Sequence, residues 1–510
     1  MKLSNPLPLF AAVVVGIGVL LGYRQVLPPS DSGGVAVDKT TTTWQAGYRR
    51  DSCWFDVPVD RNIDCGYLFT PAKSGKFQLP VVIIRDDSSD HRDDPLVYLS
   101  GGPGNSSFLE PDNIDSWYYW VDTADLSRDL ILMDQRGTGM SEPRWDCENY
   151  SRFVRDVLRV NLTLEQEYQR AYNTIHDCLK QVQRQGFEQR HYSTTRSAED
   201  LALLMQQLGY QQWNVMGVSY GTRLALDWLR RSDNHIRSLI LDSVYPLDKG
   251  LLNERPELLH RALQNIWHSC ARGDICIDPE LLGNPELIEQ RFWAALEQLS
   301  SDPLKLSAAN WEGDWPVSVV LNDNRFMSVV YSAQYDSFLH SAIIDAINEV
   351  LGKKPGHEAL EQIVEHSVNS ELSADFNTLV YLAIECRETA AISEEAYDQA
   401  SAKYPKLQRY TRYDWRFNIC RDFTVRSDLA EFNQVFDITV PSLILAGELD
   451  PVTPSSWARE LQQYAAHSQL LILPGVGHGA VASSECVHTQ LRNFLDGPEQ
   501  QLPERCEAIN

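Results

Sequence analysis

Short apolar runs recur along the first half of the chain, at 65–69, 81–85, 96–99, 130–133, 213–218 and 238–241. The first two read as the strands of a hairpin. The later ones are mostly apolar rather than alternating, and each is followed by serine or aspartate. Between them lie helical patterns, such as the amphipathic stretch 197–208 with a capping-type start at Thr195. Apolar strands separated by helices predict a mostly parallel sheet covered on both faces. From 247 to 436 the pattern changes to helical stretches at 257–269, 286–299, 334–351 and 376–390. Strands resume at 440–446 and 469–473, and a helix closes the chain at 487–495. The predicted organisation is an α/β core in two parts, 45–248 and 436–510, with a helical cap, 249–435, inserted between them. Trp311, Trp315, Tyr331 and Tyr335 are expected in the core of the cap, where large aromatics are mostly buried.

The first 34 residues do not fit this pattern. Lys2 precedes an almost wholly apolar run, 7–21, and a Pro/Ser/Gly linker follows. That is a signal peptide or a membrane anchor, and the residues leave both open. Either one exports the body of the protein. The ten cysteines agree with export. None forms a C-x-x-C pair, so zinc is not expected. An even number in an exported chain points to disulfides. Connectivity does not follow from the sequence, and sequential pairing, 53–65, 147–178, 270–276, 386–420 and 486–506, is a hypothesis based on each bridge closing a local loop. The formal net charge of −25 argues against a nucleic-acid partner, whose phosphates require a basic footprint.

The strand ends carry the candidate chemistry, because ligands of open parallel sheets bind beyond the carboxyl ends of the strands. Residues 217–221 read Gly217-Val218-Ser219-Tyr220-Gly221, a G-x-S-x-G turn between an apolar strand and a helix. Such a turn lifts the serine clear of the backbone as a nucleophile. A serine needs a base, and the base needs an orienting acid. His478 follows the last strand among glycines, and Asp450 follows the strand before it in a proline-bounded loop. Asp242 and Glu448 are the alternative acids. The order Ser219, Asp450, His478 is that of α/β-hydrolases. For the oxyanion, the backbone N–H of Tyr220 and that of Gly102 (or its neighbour Gly101) are the expected donors. Asp134 and Arg136 are read as structural, pairing within their own loop.

Four motifs together make a more specific likeness: Ser100-Gly101-Gly102-Pro103-Gly104-Asn105-Ser106, Asp134-Gln135-Arg136-Gly137-Thr138-Gly139-Met140-Ser141, the Ser219 turn, and Ala446-Gly447-Glu448-Leu449-Asp450-Pro451-Val452-Thr453-Pro454. In this order the chain resembles the proline iminopeptidase and tripeptidyl aminopeptidase group of α/β-hydrolases. The resemblance covers about 50–250 and 380–510. It implies the α/β-hydrolase fold with a helical cap over the site, and a serine exopeptidase that uses no cofactor. Proline iminopeptidases begin the glycine run with histidine, whereas Ser100 stands here. With the C-terminal block Ser442 to Gln462, that departure favours the secreted tripeptidyl aminopeptidase-like branch.

The implied substrate is a peptide with a free N-terminus, periplasmic, secreted or met at a membrane anchor. Its cationic amine requires a carboxylate in a partly dry pocket. Glu385 and Glu388, beside Cys386, are the expected partners, with solvated surface acids as the alternative. An esterase, or an anchored binding protein without catalysis, would share the same sheet and motifs. Oligomeric state and the number of residues released are not written in the sequence.

Overall fold

The computed structural model describes residues 44–506 apart from 148, 232–234, 312–314, 390–393, 412–414, 424–431 and 503–505. The expected signal or anchor segment lies outside the described residues. Among those described, no helix is long and apolar enough to cross a membrane.

Among the described residues eleven strands form: β1 (Gly47–Asp51), β2 (Ile63–Phe69), β3 (Gln78–Ile84), β4 (Arg92–Leu99), β5 (Arg128–Met133), β6 (Trp213–Val218), β7 (Ile236–Asp242), β8 (Leu304–Ala308), β9 (Val317–Leu321), β10 (Ser442–Gly447) and β11 (Ser468–Leu473). Nine of them make one sheet in the order β1-β2-β3-β5-β4-β6-β7-β10-β11. β1, β2 and β3 pair antiparallel, and β3 meets β5 antiparallel. From β5 to β11 all pairings are parallel. The register aligns the carboxyl ends: Leu99 opposes Gly217, Val218 opposes Asp242, Leu445 opposes Asp242 and Gly447 opposes Leu473. The loops after β4, β6, β7, β10 and β11 therefore leave the sheet along one edge.

The helices, in chain order, begin with α1 (Asp115–Ala124), α2 (Tyr150–Leu158), α3 (Leu164–Gln185), α4 (Thr194–Leu208) and α5 (Tyr220–Arg231). Next come α6 (Leu251–Arg272), α7 (Pro285–Ser301), α8 (Asp323–Ala333), α9 (His340–Val350), α10 (Glu358–Leu372) and α11 (Thr378–Glu388). The last are α12 (Glu394–Ala402), α13 (Gln408–Thr411), α14 (Trp415–Asp422), α15 (Ser455–Gln462) and α16 (Glu485–Asp496). Apolar strands buried on both faces need helices on both faces. One face buries Trp117, Trp120 and Phe494 against Val82, Leu130 and Met216. The other buries Leu201, Leu224 and Trp228 against Val97, Ile131 and Val215. A separate cluster, including Leu263, Phe292, Ile343 and Leu360, forms the core of the inserted helices.

Several details differ from the sequence pattern. α4 is capped by Ser193, whose side chain accepts from Arg196 N–H, and not at Thr195. The expected helix 334–351 divides: α8 ends at Ala333, Ser337–Leu339 is a 3-10 turn, and α9 starts at His340. The inserted region also carries an antiparallel hairpin, β8 with β9. Trp315 lies just before this hairpin's second strand and is 80% exposed, so it is not a core residue. The helices α2 and α3 have no counterpart in the strand pattern, although Thr163 and Gln166 spell the capping box that starts α3. α11 falls within 249–435, yet Leu379, Leu382, Ala383 and Cys386 pack with the sheet's core rather than the cap's. Packing, unlike chain order, counts α11 with the sheet.

All ten cysteines are paired, as 53–65, 147–178, 270–276, 386–420 and 486–506. This is the sequential connectivity expected from local loops. The bridge from Cys386 ties α11 to α14.

Candidate active site

Ser219 sits between β6 and α5 with φ +58°, a left-handed conformation that a non-glycine residue adopts at a cost. Its N–H donates to Asp242 O at 2.9 Å, and its C=O accepts from Thr222 N–H and Oγ1. The turn is too tight for side chains at its flanks. A Cβ at Gly217 would collide with the backbone of Gly221, and one at Gly221 with the carbonyl of Leu99. The second contact shows that the elbow is seated against the end of β4. The glycine run after β4 consequently lies beside the serine, and a Cβ at Gly101 would stand 3.1 Å from Ser219 Cβ. Gly102 follows at φ +106°. Tyr220 opens α5, where the first amides have no carbonyl within the helix to bond.

Asp450 and His478 meet from neighbouring loops. Asp450 Oδ2 lies 2.8 Å from His478 Nδ1, with both side chains buried. The same carboxylate accepts from Val452 N–H at 2.9 Å, Thr453 N–H at 2.8 Å and Thr453 Oγ1 at 2.8 Å. Burial would raise its pKa, but the His478 imidazole and the Thr453 donors outweigh burial and hold the carboxyl below its usual range. His478 Nε2, on the far side of the ring, is buried without a hydrogen-bond partner among the described residues. It is not bonded to Ser219 Oγ in this structure. Such contacts often close only when substrate arrives.

The two alternative acids go elsewhere. Asp242 Oδ1 and Oδ2 accept from Ala480 N–H (2.9 Å) and Val481 N–H (2.6 Å). Glu448 accepts from Gly475 N–H and pairs with Arg272.

Comparisons with known proteins bear on the fold that carries this arrangement. Residues 94–267 match the alpha/beta hydrolase fold family, and 409–506 match the TAP-like protein family. The chain has the α/β-hydrolase fold. It is 22% identical over 482 residues to the tripeptidyl aminopeptidase of Streptomyces coelicolor, covering 88% of this chain and 84% of that protein. The Streptomyces lividans tripeptidyl aminopeptidase matches with the same identity and coverage. Among solved structures, a proline iminopeptidase of Mycobacterium smegmatis covers 85% of this chain and 98% of its own, at 14% identity and a TM-score of 0.35.

Other residues of this α/β-hydrolase chain surround the site. Asp134 and Arg136 do not pair with each other as expected. Asp134 accepts from Ser107 N–H (2.6 Å) and Met140 N–H (2.8 Å), tying the end of the glycine run to its own loop. Burial pushes its carboxyl up to about 7, against the pull of those two amides. Arg136 instead forms a two-pronged pair with Asp200 of α4, at 2.5 and 2.7 Å. Both residues hold loops together, but across elements rather than within one. Ser100, in the departing position, donates through Oγ to Asn105 O and receives Gln135 Nε2.

The acids of α11 are not solvated surface groups, since Glu385 is 2% and Glu388 1% exposed. Glu388 receives Thr194 N–H at 2.7 Å and Thr194 Oγ1 at 2.5 Å, and that hydroxyl also meets Tyr220 OH. Burial lifts its carboxyl to about 7, although the Arg223 cation favours the charged form. Glu385 accepts from Tyr245 OH at 3.0 Å. Tyr245 N–H in turn donates to Thr222 Oγ1, beside the elbow. The start of α11 reaches the glycine run directly, with Asn377 N–H on Gly104 O at 2.9 Å and Ser106 N–H on Asp375 O at 2.8 Å.

Sequence reasoning missed Thr453 as a second partner of the Asp450–His478 pair, at 3.1 Å from Nδ1. It also missed Tyr335, assigned to the cap's core. Its ring lies edge-on to the imidazole with centroids 5.3 Å apart. Threonine three residues after the acid was a legible sign of an Asx-type turn. Nothing local marked Tyr335.

Proposed function

We propose that the protein is an exported serine aminopeptidase that releases short peptides, three residues long by analogy with the named relatives, from free N-termini. Ser219 Oγ attacks the scissile carbonyl while His478 Nε2 takes its proton. Asp450 holds Nδ1–H and stabilises the imidazolium. The Tyr220 and Gly102 amides stabilise the oxyanion. The C–N bond then breaks, and His478 passes the proton to the leaving amine. Water, deprotonated by His478, attacks the acyl-enzyme, and the proton returns to Ser219 as the ester opens. The observation that carries this reading is the buried Asp450–His478 contact. It leaves Nε2 unpartnered on the same sheet edge that strains Ser219 to φ +58°.

For the substrate's α-ammonium we assign the acids of α11, Glu385 first and Glu388 behind it. Glu385 hangs from the tyrosine next to the elbow, on a helix that touches the glycine run. Five disulfides support an oxidising compartment, and the N-terminal segment supplies the route as signal or anchor.

The test uses a fluorophosphonate probe and a panel of fluorogenic peptides with one, two or three residues, each with a free or acetylated N-terminus. Labelling lost in Ser219→Ala, with fastest turnover on the free tripeptide, is the expected result. Turnover of simple esters alone would make the protein an esterase. Labelling or activity that survives in Ser219→Ala would refute the mechanism.

A further inference from the structure

The loop that carries His478 makes its backbone hydrogen bonds to other segments. Five consecutive amides donate outward. Gly477 N–H donates to Ser337 Oγ at 3.0 Å, and His478 N–H to Tyr335 O at 2.9 Å. Gly479 N–H donates to Ser243 Oγ at 2.9 Å. Ala480 N–H and Val481 N–H take the two oxygens of Asp242, at 2.9 and 2.6 Å. The first two acceptors lie between α8 and α9 of the inserted region, the last three at the end of β7. A Cβ at Gly477 would collide with the carbonyls of Tyr335 and Gln334, so the cap closes on the loop without space between them.

One acceptor residue also touches the nucleophile. Asp242 O receives Ser219 N–H at 2.9 Å, while its side chain receives the two amides after His478. Its carboxylate is fully buried, and Ser243 beside it is held at φ +55° so that its hydroxyl faces Gly479. A fully buried carboxylate is expensive unless it meets donors, and here two of them come from one loop.

We infer that Asp242 is a positioning residue that sets the distance between Ser219 and His478, and that the cap segment Tyr335-Asp336-Ser337 completes the same cradle. Asp242 touches neither substrate nor the reacting atoms. It acts by fixing two loops that are far apart in sequence to one strand end. The cap is thereby coupled to the base, because any shift of residues 335–337 moves the His478 amide with it. This inference rests on the serine-hydrolase reading above.

The experiment measures kcat, KM and the rate of fluorophosphonate labelling in Asp242→Asn, Ser243→Ala, Ser337→Ala and Ser337→Thr, with melting temperature followed in parallel. In Asp242→Asn one oxygen becomes an NH2 group facing a backbone N–H, so one cradle bond turns repulsive. A displacement of the order of 1 Å at the base corresponds to a loss of about 10²-fold. That loss is expected in kcat and in labelling rate, with KM within about twofold of wild type. Ser337→Ala should lose less, and Ser337→Thr, which restores the hydroxyl, should recover. A purely structural role would lower the melting temperature and leave kcat unchanged below the transition, and that result overturns the inference. If Asp242→Asn does not fold, the serine variants decide, and wild-type kcat in both alanine variants overturns it equally. Wild-type protein that labels through Ser219 while these variants label at the same rate refutes the cradle alone. Absence of Ser219-dependent labelling in the wild type refutes the hydrolase reading and the cradle with it.

Discussion

Asp450→Asn removes one oxygen from a carboxylate whose four contacts are all defined. Two of its donors, Val452 N–H and Thr453 N–H, are backbone groups on Oδ1 and cannot accept a hydrogen bond. The amide oxygen of the variant must therefore stay on that side. Its NH2 group then faces Thr453 Oγ1 and His478 Nδ1. An NH2 donor forces Nδ1 to accept, which moves the ring proton to Nε2. A histidine with its proton on Nε2 cannot take the proton of Ser219. The expected loss is about 10⁴-fold in kcat, as for the equivalent change in serine proteases. That is about 5 kcal/mol of transition-state stabilisation. Stability should change little, because both backbone bonds survive and the side chain keeps its shape. The assay is steady-state turnover of a free tripeptide substrate, with the melting temperature as the control for folding. A folded variant within about tenfold of wild-type kcat would refute the argument. The base would then be oriented by another group, and Asp242→Asn would have to show the larger loss.

Glu385→Gln should lower turnover of free peptides by about 10- to 100-fold relative to N-acetylated ones, the magnitude of one charge-assisted hydrogen bond; an unchanged ratio in this variant and in Glu388→Gln would place the amine elsewhere. Replacing Cys386 and Cys420 together by serine opens a 34-residue separation and should reduce stability by about 4 kcal/mol on loop entropy, read from denaturant unfolding, with no change in midpoint as the refuting result. Burial raises Asp242 to about 6 and Asp134 and Glu388 to about 7, above the ordinary 3.8 and 4.5. The folded state therefore binds these protons more readily than the unfolded chain, and their contribution to stability grows as pH falls from about 7 toward about 4. Asp450, held below its usual range, contributes in the opposite direction only once pH drops past that range. Between pH 7 and about 5 the melting temperature should hold or rise while turnover falls, because Asp134 and Asp242, which hold the loops around the site, lose charge. Parallel loss of both would refute this.

Much of this protein is readable along the chain because the signals are local. Continuous apolar runs marked the parallel strands, and strand-end glycines and polar residues marked the edge where Ser219, Asp450 and His478 emerge. The disulfide connectivity could not be deduced from the sequence, but the hypothesis of sequential pairing matches the structure, where each bridge joins cysteines no more than 34 residues apart. The G-x-S-x-G turn needed no alignment, because its glycines answer to a close approach of backbone to backbone. Short patterns placed Asp450 ahead of Asp242 and Glu448 as the acid but could not decide the choice among the three. That choice was made by the loops beyond β7 and β10, which aim Asp450 at Nδ1, Asp242 at the amides after His478 and Glu448 at Arg272. Nor could they show that Arg136 leaves its loop for Asp200, or that Glu385 and Glu388 are buried. The cradle of five amides joins residues from three places in the chain, Asp242-Ser243, Tyr335-Ser337 and Gly477-Val481. A polar group buried on folding takes whatever partner the packed sheet and cap bring to it. With partners more than 100 residues apart, as Tyr335 and His478 are, only the tertiary structure decides which one that is.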